Sequence, residues 1–108
     1  LMASGLSGQN FAFHGYLPAK TELRKTRIVE LEKDSRRNSR TQIFIETPYR
    51  NQQMLDSLIA GCAPETRLCL AADLTLDSQQ ITTRTIQKWR TSPPIAIDRR
   101  PTVFLLQA

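Results

Sequence analysis

The residues most able to do chemistry form a short run between a predicted strand and a predicted helix. The run reads Glu46-Thr47-Pro48-Tyr49-Arg50 and supplies a carboxylate, a hydroxyl, a phenol and a guanidinium. In open α/β sheets, ligands bind in the crevice outside the carboxyl ends of the strands. A plainer interpretation is a turn in which Thr47 caps a helix and Pro48 takes its first position. That interpretation leaves the other three side chains without a structural role, so both remain open.

The familiar signatures of nucleotide-dependent and hydrolytic enzymes are absent from the sequence. It holds no P-loop, no glycine-rich dinucleotide fingerprint and no nucleophile elbow. His14 is the single histidine and lies in an aromatic strand, where a structural role is favoured over catalysis. Asp73 follows an apolar strand, where it could orient a ligand or take part in a turn. These patterns identify no catalytic residue.

The two cysteines, Cys62 and Cys69, both lie in apolar surroundings. Two such residues make neither a disulfide framework nor a zinc site, because a zinc site needs further ligands. We therefore predict two buried free thiols and no bound metal.

The overall composition is that of a single globular domain with a basic surface. The chain has 108 residues and a net charge of +5, and no apolar run approaches the roughly 18 residues of a membrane span. Without a secretory signal, we expect a cytoplasmic protein that avoids the membrane. Basic residues exceed acidic ones between positions 20 and 40, which fits either an RNA-binding surface or a solvated helix face. They are Lys20, Arg24, Lys25, Arg27, Lys33, Arg36, Arg37 and Arg40.

The elements that must position these groups alternate between strands and helices. In the first helix, capped by Thr21, apolar spacing predicts a buried face with Leu23, while Arg24 and Glu32 face solvent. We expect that helix to fade into a loop over 34–40. The predicted strands span 10–17, 41–46, 66–75, 78–84 and 101–106, and two further helices begin near Asn51 and after Thr85.

The order of these elements predicts the fold class. Strands separated by helices favour parallel pairs with right-handed crossovers. The direct step from the third strand to the fourth favours an antiparallel pair. The sequence therefore predicts an α/β fold with a mixed, mostly parallel five-stranded sheet and about three packed helices.

Three segments resemble motifs of the tetrapyrrole methylase superfamily of S-adenosylmethionine (SAM) dependent methyltransferases. The opening ASGLSGQNFAFHGYLPAK resembles the passage between the two domains of such enzymes, where Ser-Gly-Leu precedes Phe-x-Phe-x-Gly-Phe-Leu-Pro. TQIFIETPYR is similar to the Thr-Leu-Val-Phe-Tyr-Glu-Ser-Pro-His-Arg motif of the branch that holds the ribosomal small-subunit RNA 2′-O-methyltransferases. LAADLT resembles that branch's Ala-Arg-Glu-Leu-Thr, with Ala72-Asp73 replacing Arg-Glu.

The resemblance implies a domain organisation and a cofactor. Residues 10–108 would be the C-terminal domain of a two-domain methyltransferase, and residues 1–9 a remnant of the interdomain linker. Family members bind SAM in the cleft between the domains. Because the glycine-rich cofactor loop of the N-terminal domain is missing, we expect the isolated chain to be inactive. The cofactor contacts of the family would fall on Ile45, Glu46, Leu74, Pro101 and Thr102.

The resemblance also implies substrates and partners. We assign Pro48, Tyr49, Arg50 and Lys20 as candidate substrate contacts, and expect RNA, the missing N-terminal domain and a second copy in a homodimer as partners. Relatives that modify tetrapyrroles carry Tyr-Met-Gly at positions 45–47, so the run at 46–50 favours RNA over a porphyrinoid. A porphyrinoid methyltransferase domain stays open as an alternative. So does a non-catalytic dimerisation or RNA-docking module that uses apolar residues near 1–6 and 101–106.

Overall fold

In the described part of the chain, five strands and three helices follow one another in the predicted order. The computed structural model describes residues 4–6, 8–74, 76–93, 97 and 99–108. The elements are β1 (Phe11–Tyr16), α1 (Thr21–Asn38), β2 (Thr41–Ile45), α2 (Asn51–Gly61), β3 (Arg67–Ala72), β4 (Gln80–Thr85), α3 (Ile86–Thr91) and β5 (Thr102–Gln107). A 3-10 turn at Pro48–Arg50 precedes α2.

The strands form one mixed sheet in the order β1-β2-β5-β3-β4. The five-stranded α/β fold is confirmed, but the expectation of a mostly parallel sheet is wrong. In the described residues β1 and β2 are parallel, whereas β2–β5, β3–β5 and β3–β4 are antiparallel pairs. Helices α1 and α2 do keep β1, β2 and β3 pointing the same way. Strand β5 then inserts between β2 and β3 in the opposite direction, so the two co-directional strands are not neighbours.

All three helices pack on the same face of the sheet. Alternate residues of the central strands meet them there, and the rings of Phe44 and Phe104 stack in parallel with their centroids 5.6 Å apart. The opposite face carries a smaller apolar cluster, in which Leu6 packs on Cys69, Ala71 and Leu105. The carbonyl of Ser4 accepts a hydrogen bond from Thr83 Oγ1 at 2.7 Å, which holds this segment on β4.

Helix α1 departs from the sequence prediction in its length and in its buried face. It continues to Asn38 rather than fading into a loop, and Asn38 Nδ2 donates to Asp34 Oδ1 at 2.7 Å in its last turn. Thr21 is the first helical residue, not a cap. Leu23 is 56% exposed, whereas Arg24 and Glu32 are buried.

Glu32 is buried because it has hydrogen-bond donors to accept from. Its Oε2 atom accepts from the backbone N–H of Ala63 at 2.8 Å and from Thr66 Oγ1 at 2.6 Å. Both donors belong to the turn between α2 and β3, so one carboxylate ties α1 to the far end of α2. Apolar periodicity cannot reveal such a contact, because the donors lie more than thirty residues away.

Other predictions from the sequence are confirmed. Thr85 caps α3, since its Oγ1 accepts from the N–H of Lys88 at 3.2 Å. Cys62 and Cys69 are buried free thiols. Burial raises the pKa of Cys62 to about 12 and also raises the pKa of Cys69 above its ordinary value. Both thiols are therefore protonated at neutral pH.

His14 joins β1 to β2 and α1. Its Nε2 bonds Gln42 Oε1 at 2.7 Å, and its Nδ1 lies 3.3 Å from Arg27 Nη2. Gln42 in turn donates to the carbonyl of Leu31 and to Asp34 Oδ2. This network gives the histidine the structural role that the sequence favoured.

Candidate functional site

A cavity of about 400 Å³ lies at one edge of the sheet, where several strand ends meet. Strands β1, β2 and β3 all end at this edge, and the antiparallel strand β5 begins there. The register shows the convergence, because Ile45 pairs with Val103 and Ala72 pairs with Thr102. Segments far apart in sequence therefore share one concave surface, as open α/β sheets do around ligands.

The residues assigned as candidate cofactor contacts are brought together here. Ile45, Glu46, Leu74, Pro101 and Thr102 all line the cavity. They come from the end of β2, the loop after β3 and the start of β5. A shared cofactor site requires these residues to lie together, and they do. Their contact with a cofactor stays a prediction.

The candidate substrate contacts are divided between the cavity and its surroundings. Pro48 lines the cavity, while Tyr49, Arg50 and Lys20 do not. Tyr49 and Arg50 follow Pro48 in the 3-10 turn, with the Arg50 guanidinium carbon 5.2 Å from the centroid of the Tyr49 ring. Lys20 is exposed immediately before α1.

Known proteins similar in sequence are ribosomal RNA methyltransferases. No family model matches the chain. Ribosomal RNA small subunit methyltransferase I of Vibrio cholerae is 40% identical over 75 residues, which are 69% of this chain and 25% of that protein. The protein of the same name from Haemophilus influenzae is 33% identical over 90 residues, or 83% of this chain and 30% of that protein. The chain thus spans between a quarter and a third of the length of these relatives.

Known structures with a similar fold are methyltransferases as well. The methyltransferase CobJ superposes with a TM-score of 0.60 at 20% identity, covering 98% of this chain and 44% of that one. Uroporphyrin-III C-methyl transferase from Thermus thermophilus, complexed with S-adenyl homocysteine, gives a TM-score of 0.51 at 14% identity, over 98% and 48% of the two chains. At such low identity these likenesses establish the fold alone.

The chain shares the fold of these methyltransferases. Both the sequence relatives and the fold agree with the motifs from which the resemblance was drawn.

Ala72-Asp73 stands where the motif that this segment resembles has Arg-Glu, and Asp73 forms an ion pair with Arg100. Asp73 adopts a left-handed backbone with φ 52°, and its Oδ2 accepts from Arg100 Nε at 2.7 Å and from Ser78 Oγ at 3.0 Å. Arg100 also donates to Gln80 Oε1 and to the carbonyl of Ser78. The Arg100 guanidinium holds the pKa of Asp73 below its ordinary value of 3.8, against the opposing effect of burial.

Asn51 joins the β5 side of the cavity to the start of α2. Its Nδ2 donates to the carbonyl of Ile97 at 3.1 Å, to the carbonyl of Arg100 at 2.6 Å and to Thr102 Oγ1 at 3.2 Å. The side chain is fully buried. Asn51 therefore fixes the position of the segment that leads into β5. Nothing in the sequence around Asn51 predicted that role.

Sequence reasoning also missed part of the cavity lining. Tyr16, Ala71, Leu76 and Val103 also line the cavity, although none of them was assigned as a candidate contact. Tyr16 reaches this edge because the pairing of β1 with β2 shifts after Phe13 and Gly15 takes φ 66°. Strand alternation alone could not place it, since an irregularity changes which face a residue occupies.

Glu46 is buried at the cavity, and only one of its two carboxylate oxygens accepts a hydrogen bond from the described residues. Its Oε1 accepts from the N–H of Thr47 at 2.7 Å and from Thr47 Oγ1 at 3.3 Å. Its Oε2 is buried and has no hydrogen-bond partner within the part of the chain that the structure describes. A buried carboxylate oxygen of this kind is costly unless a donor reaches it.

The described residues hold neither a metal-binding group nor a helix that could span a membrane. No three side chains of the types His, Cys, Asp or Glu come together there as a metal-binding group. None of the helices described has the length and apolar character that a membrane crossing requires.

Proposed function

We propose that this chain is the C-terminal half of a SAM-dependent methyltransferase that acts on ribosomal RNA. In this proposal residues 10–108 form the C-terminal domain, residues 1–9 belong to the interdomain linker, and the cavity is one wall of the SAM cleft. The observation that carries it is the cavity itself, which is lined by all five residues that the motifs assign to the cofactor. The names of the sequence relatives support ribosomal RNA as the substrate.

The cavity suits the nucleoside part of SAM in size and chemistry. Its volume of about 400 Å³ falls in the range of roughly 300–1,000 Å³ typical of small-molecule sites. Ile45, Leu74 and Pro101 offer apolar surface for a purine ring. The Glu46 carboxylate keeps a buried acceptor oxygen that lacks a donor among the described residues, and a ribose hydroxyl or an amine is the kind of group that supplies one.

In this proposal, the residues of this half bind the cofactor and orient it. SAM, when bound, supplies an electrophilic methyl group on its sulfonium. Ile45, Leu74 and Pro101 exclude water from one side of the cleft, which strengthens polar contacts within it. Thr102 is held by Asn51 and donates its own hydroxyl to the carbonyl of Arg100, so its backbone is fixed at the cavity wall.

The exposed basic residues between positions 20 and 40 support an RNA substrate. Arg24 is buried, while Arg27 and Arg40 pair with Glu30 and Asp34. Phosphate contacts release counterions, so RNA binding through this surface weakens as salt rises. The remaining exposed basic residues of the segment, which are available to phosphates, are Lys20, Lys25, Lys33, Arg36 and Arg37.

Restoring the upstream half of the protein tests the cofactor assignment. We expect SAM affinity, measured by calorimetry, to rise by orders of magnitude when the 108-residue chain is compared with a longer protein that includes the N-terminal domain. The gain is expected because the second wall of the cleft and its glycine-rich loop are then present. An affinity equal in both proteins would instead favour a non-catalytic dimerisation or RNA-docking module.

The remaining assignments concern assembly and location. We propose a homodimer in the cytoplasm, as the superfamily resemblance suggests. Sedimentation of the longer protein over a range of concentrations measures the assembly. A porphyrinoid substrate in place of RNA would appear as tight binding of a tetrapyrrole together with RNA binding that salt does not change.

A further inference from the structure

Three residues beside the cavity form what we call the aromatic platform: Tyr49, Arg50 and Arg99. Tyr49 and Arg99 are exposed, and Arg50 is partly exposed. Tyr49 and Arg50 directly follow the cavity residue Pro48 in the chain. Arg99 is distant in sequence but close in the fold, because its backbone N–H donates to the carbonyl of Pro48 at 3.0 Å. The platform therefore lies next to the cavity wall, although its side chains are not part of the lining.

Tyr49 is the aromatic surface of the platform. Its side chain is 64% exposed, so the ring adds little to the core. The guanidinium of Arg50 lies over the ring at 5.2 Å from its centroid, a cation–π geometry that restrains both groups. A flat, restrained and exposed ring is what a nucleobase needs for stacking.

Arg99 and its neighbour Arg100 have different environments. Arg100 is anchored to Asp73, Gln80 and Ser78 by its guanidinium. Arg99 is exposed and adopts φ 61°, a left-handed backbone that is uncommon for a residue with a side chain. Among the residues that the structure describes, neither Arg50 nor Arg99 has a carboxylate within salt-bridge distance. Arg50, which lies over the tyrosine ring, and Arg99, whose backbone bonds the residue before that tyrosine, are thus two cations with no described anion to neutralise them.

We infer that the aromatic platform binds an unpaired nucleotide of the RNA, with its base stacked on Tyr49 and the adjacent phosphates on Arg50 and Arg99. This inference rests on the proposed RNA substrate and names the residues that position it. A base within a duplex is already stacked on its neighbours, so the platform selects single-stranded or looped RNA. It holds that nucleotide against the cavity mouth at Pro48.

Stacking is tested with a single-stranded 12-nucleotide RNA that carries one 2-aminopurine, and with the same strand in a duplex. We expect the 108-residue chain to quench the 2-aminopurine fluorescence of the single strand and to bind it more tightly than the duplex. Tyr49→Ala removes the quenching and weakens binding at least about five-fold, since stacking on one aromatic side chain is worth that much or more. Tyr49→Phe keeps both, because the ring remains.

The charged part of the platform is tested by the salt dependence of binding. Arg99→Gln is expected to make the slope of log affinity against log salt shallower by about 0.7, the value for one lost phosphate contact on a single strand. Lys88→Gln is the matched control, because Lys88 is exposed on α3 and outside every site described above. Phe13→Ala is the control for Tyr49→Ala, since Phe13 is an aromatic residue with nearly the same exposure, 63%.

The outcomes separate this inference from the proposed function. If the chain binds RNA but Tyr49→Ala binds as tightly as Phe13→Ala, or if the duplex binds as tightly as the single strand, the platform is overturned and the RNA substrate stands. If the unaltered chain binds neither form at low salt, the RNA substrate is overturned and the platform with it. Equal urea midpoints for all variants exclude misfolding as the cause.

Discussion

At the scale of single residues, the pair formed by Asp73 and Arg100 links the chemistry of one carboxyl to the shape of the cavity. Asp73 lines the cavity, and its backbone N–H donates to the carbonyl of Pro101, another lining residue. The side chains repeat the same connection through the ion pair. The loop after β3 is therefore held to the approach to β5 twice, once by backbone and once by charge.

The ion pair makes stability depend on pH at the acid end. The pKa of Asp73 is lowered in the folded chain, chiefly by its hydrogen bond with Arg100. A carboxyl of this kind stabilises the fold fully above its unfolded pKa, and that contribution is lost as the pH falls through the folded pKa. We predict that Asp73→Asn lowers the urea midpoint at pH 7, and that the difference from the unaltered chain shrinks as the pH falls below about 4.

Asp77→Asn provides the control for this prediction. Asp77 is exposed in the same loop, and the described residues give it no ion pair. Its substitution should leave the urea midpoint nearly unchanged at both pH values. A difference between Asp73→Asn and the unaltered chain that stays constant from pH 7 to pH 3 would show that the ionised carboxylate is not the source of the stabilisation.

The sequence predicted single residues well where neighbours determine them and poorly where distant partners do. Asp73 was recognisable as a polar residue after an apolar strand, but its partner Arg100 lies 27 positions away. Arg24 and Glu32 were predicted to face solvent because charged side chains usually do, but both are buried. Glu32 is buried because the turn after α2 supplies its donors, which becomes evident only once the helices are packed.

At the scale of elements, Glu32 is the polar contact that joins α1 to the turn before β3. We predict that Glu32→Ala destabilises the chain by about 2 kcal/mol in urea unfolding. The cost arises because the N–H of Ala63 and the hydroxyl of Thr66 then remain buried without their acceptor. The loss should appear in the free energy of unfolding and leave the helix content of the folded chain unchanged.

Glu30 on the same helix is the control for Glu32. Its side chain is 57% exposed and pairs with Arg27 one turn earlier. An exposed pair of this kind contributes little, so Glu30→Ala should change the free energy of unfolding by no more than about 0.5 kcal/mol. Equal effects of the two substitutions would mean that the contacts of Glu32 with the turn add nothing to stability.

At the scale of the whole molecule, the described helices cover one face of the sheet. The described residues cover the other face, which we call the open face, only in part, where Leu6 packs on it. Phe13 pairs with Ile43, and Ile43 belongs to the cluster opposite the helices, so the phenyl ring lies on the open face. Phe11 is exposed on the same edge strand. Large contiguous patches of exposed apolar surface mark interaction sites in many proteins. The exposed apolar surface of the open face is compatible with the proposed homodimer and with the proposed second domain.

The open face should bind a hydrophobic dye while the chain is folded. We predict that 8-anilinonaphthalene-1-sulfonate fluoresces with the native chain, and that the double substitution Phe11→Thr and Phe13→Thr reduces the fluorescence. Threonine keeps the strand propensity, so the free energy of unfolding should change by less than about 1 kcal/mol. Leu23→Gln removes an exposed apolar residue from α1 and should leave the fluorescence unchanged; an equal reduction there would contradict the assignment to the sheet face.

At this scale the sequence predicted the order of elements but not the arrangement of the sheet. The alternation of strands and helices gave β1, β2 and β3 their common direction. Nothing local reveals that β5 enters between β2 and β3, because that choice depends on how Phe104 and Leu106 fill the core beneath the helices. The cavity could still be anticipated, since strands β1 to β3 end at one edge whatever strand lies between them.

The central position of β5 has a consequence for how the chain acquires its structure during synthesis. The strand that emerges from the ribosome last among the five is the one on which both halves of the sheet are assembled. Until Thr102–Gln107 is available, β2 and β3 each present an unpaired edge to the cell. Pairings such as Gln42 with Leu106 close very long loops, which slows folding. A nascent chain of this kind therefore depends on protection from aggregation until β5 has been translated.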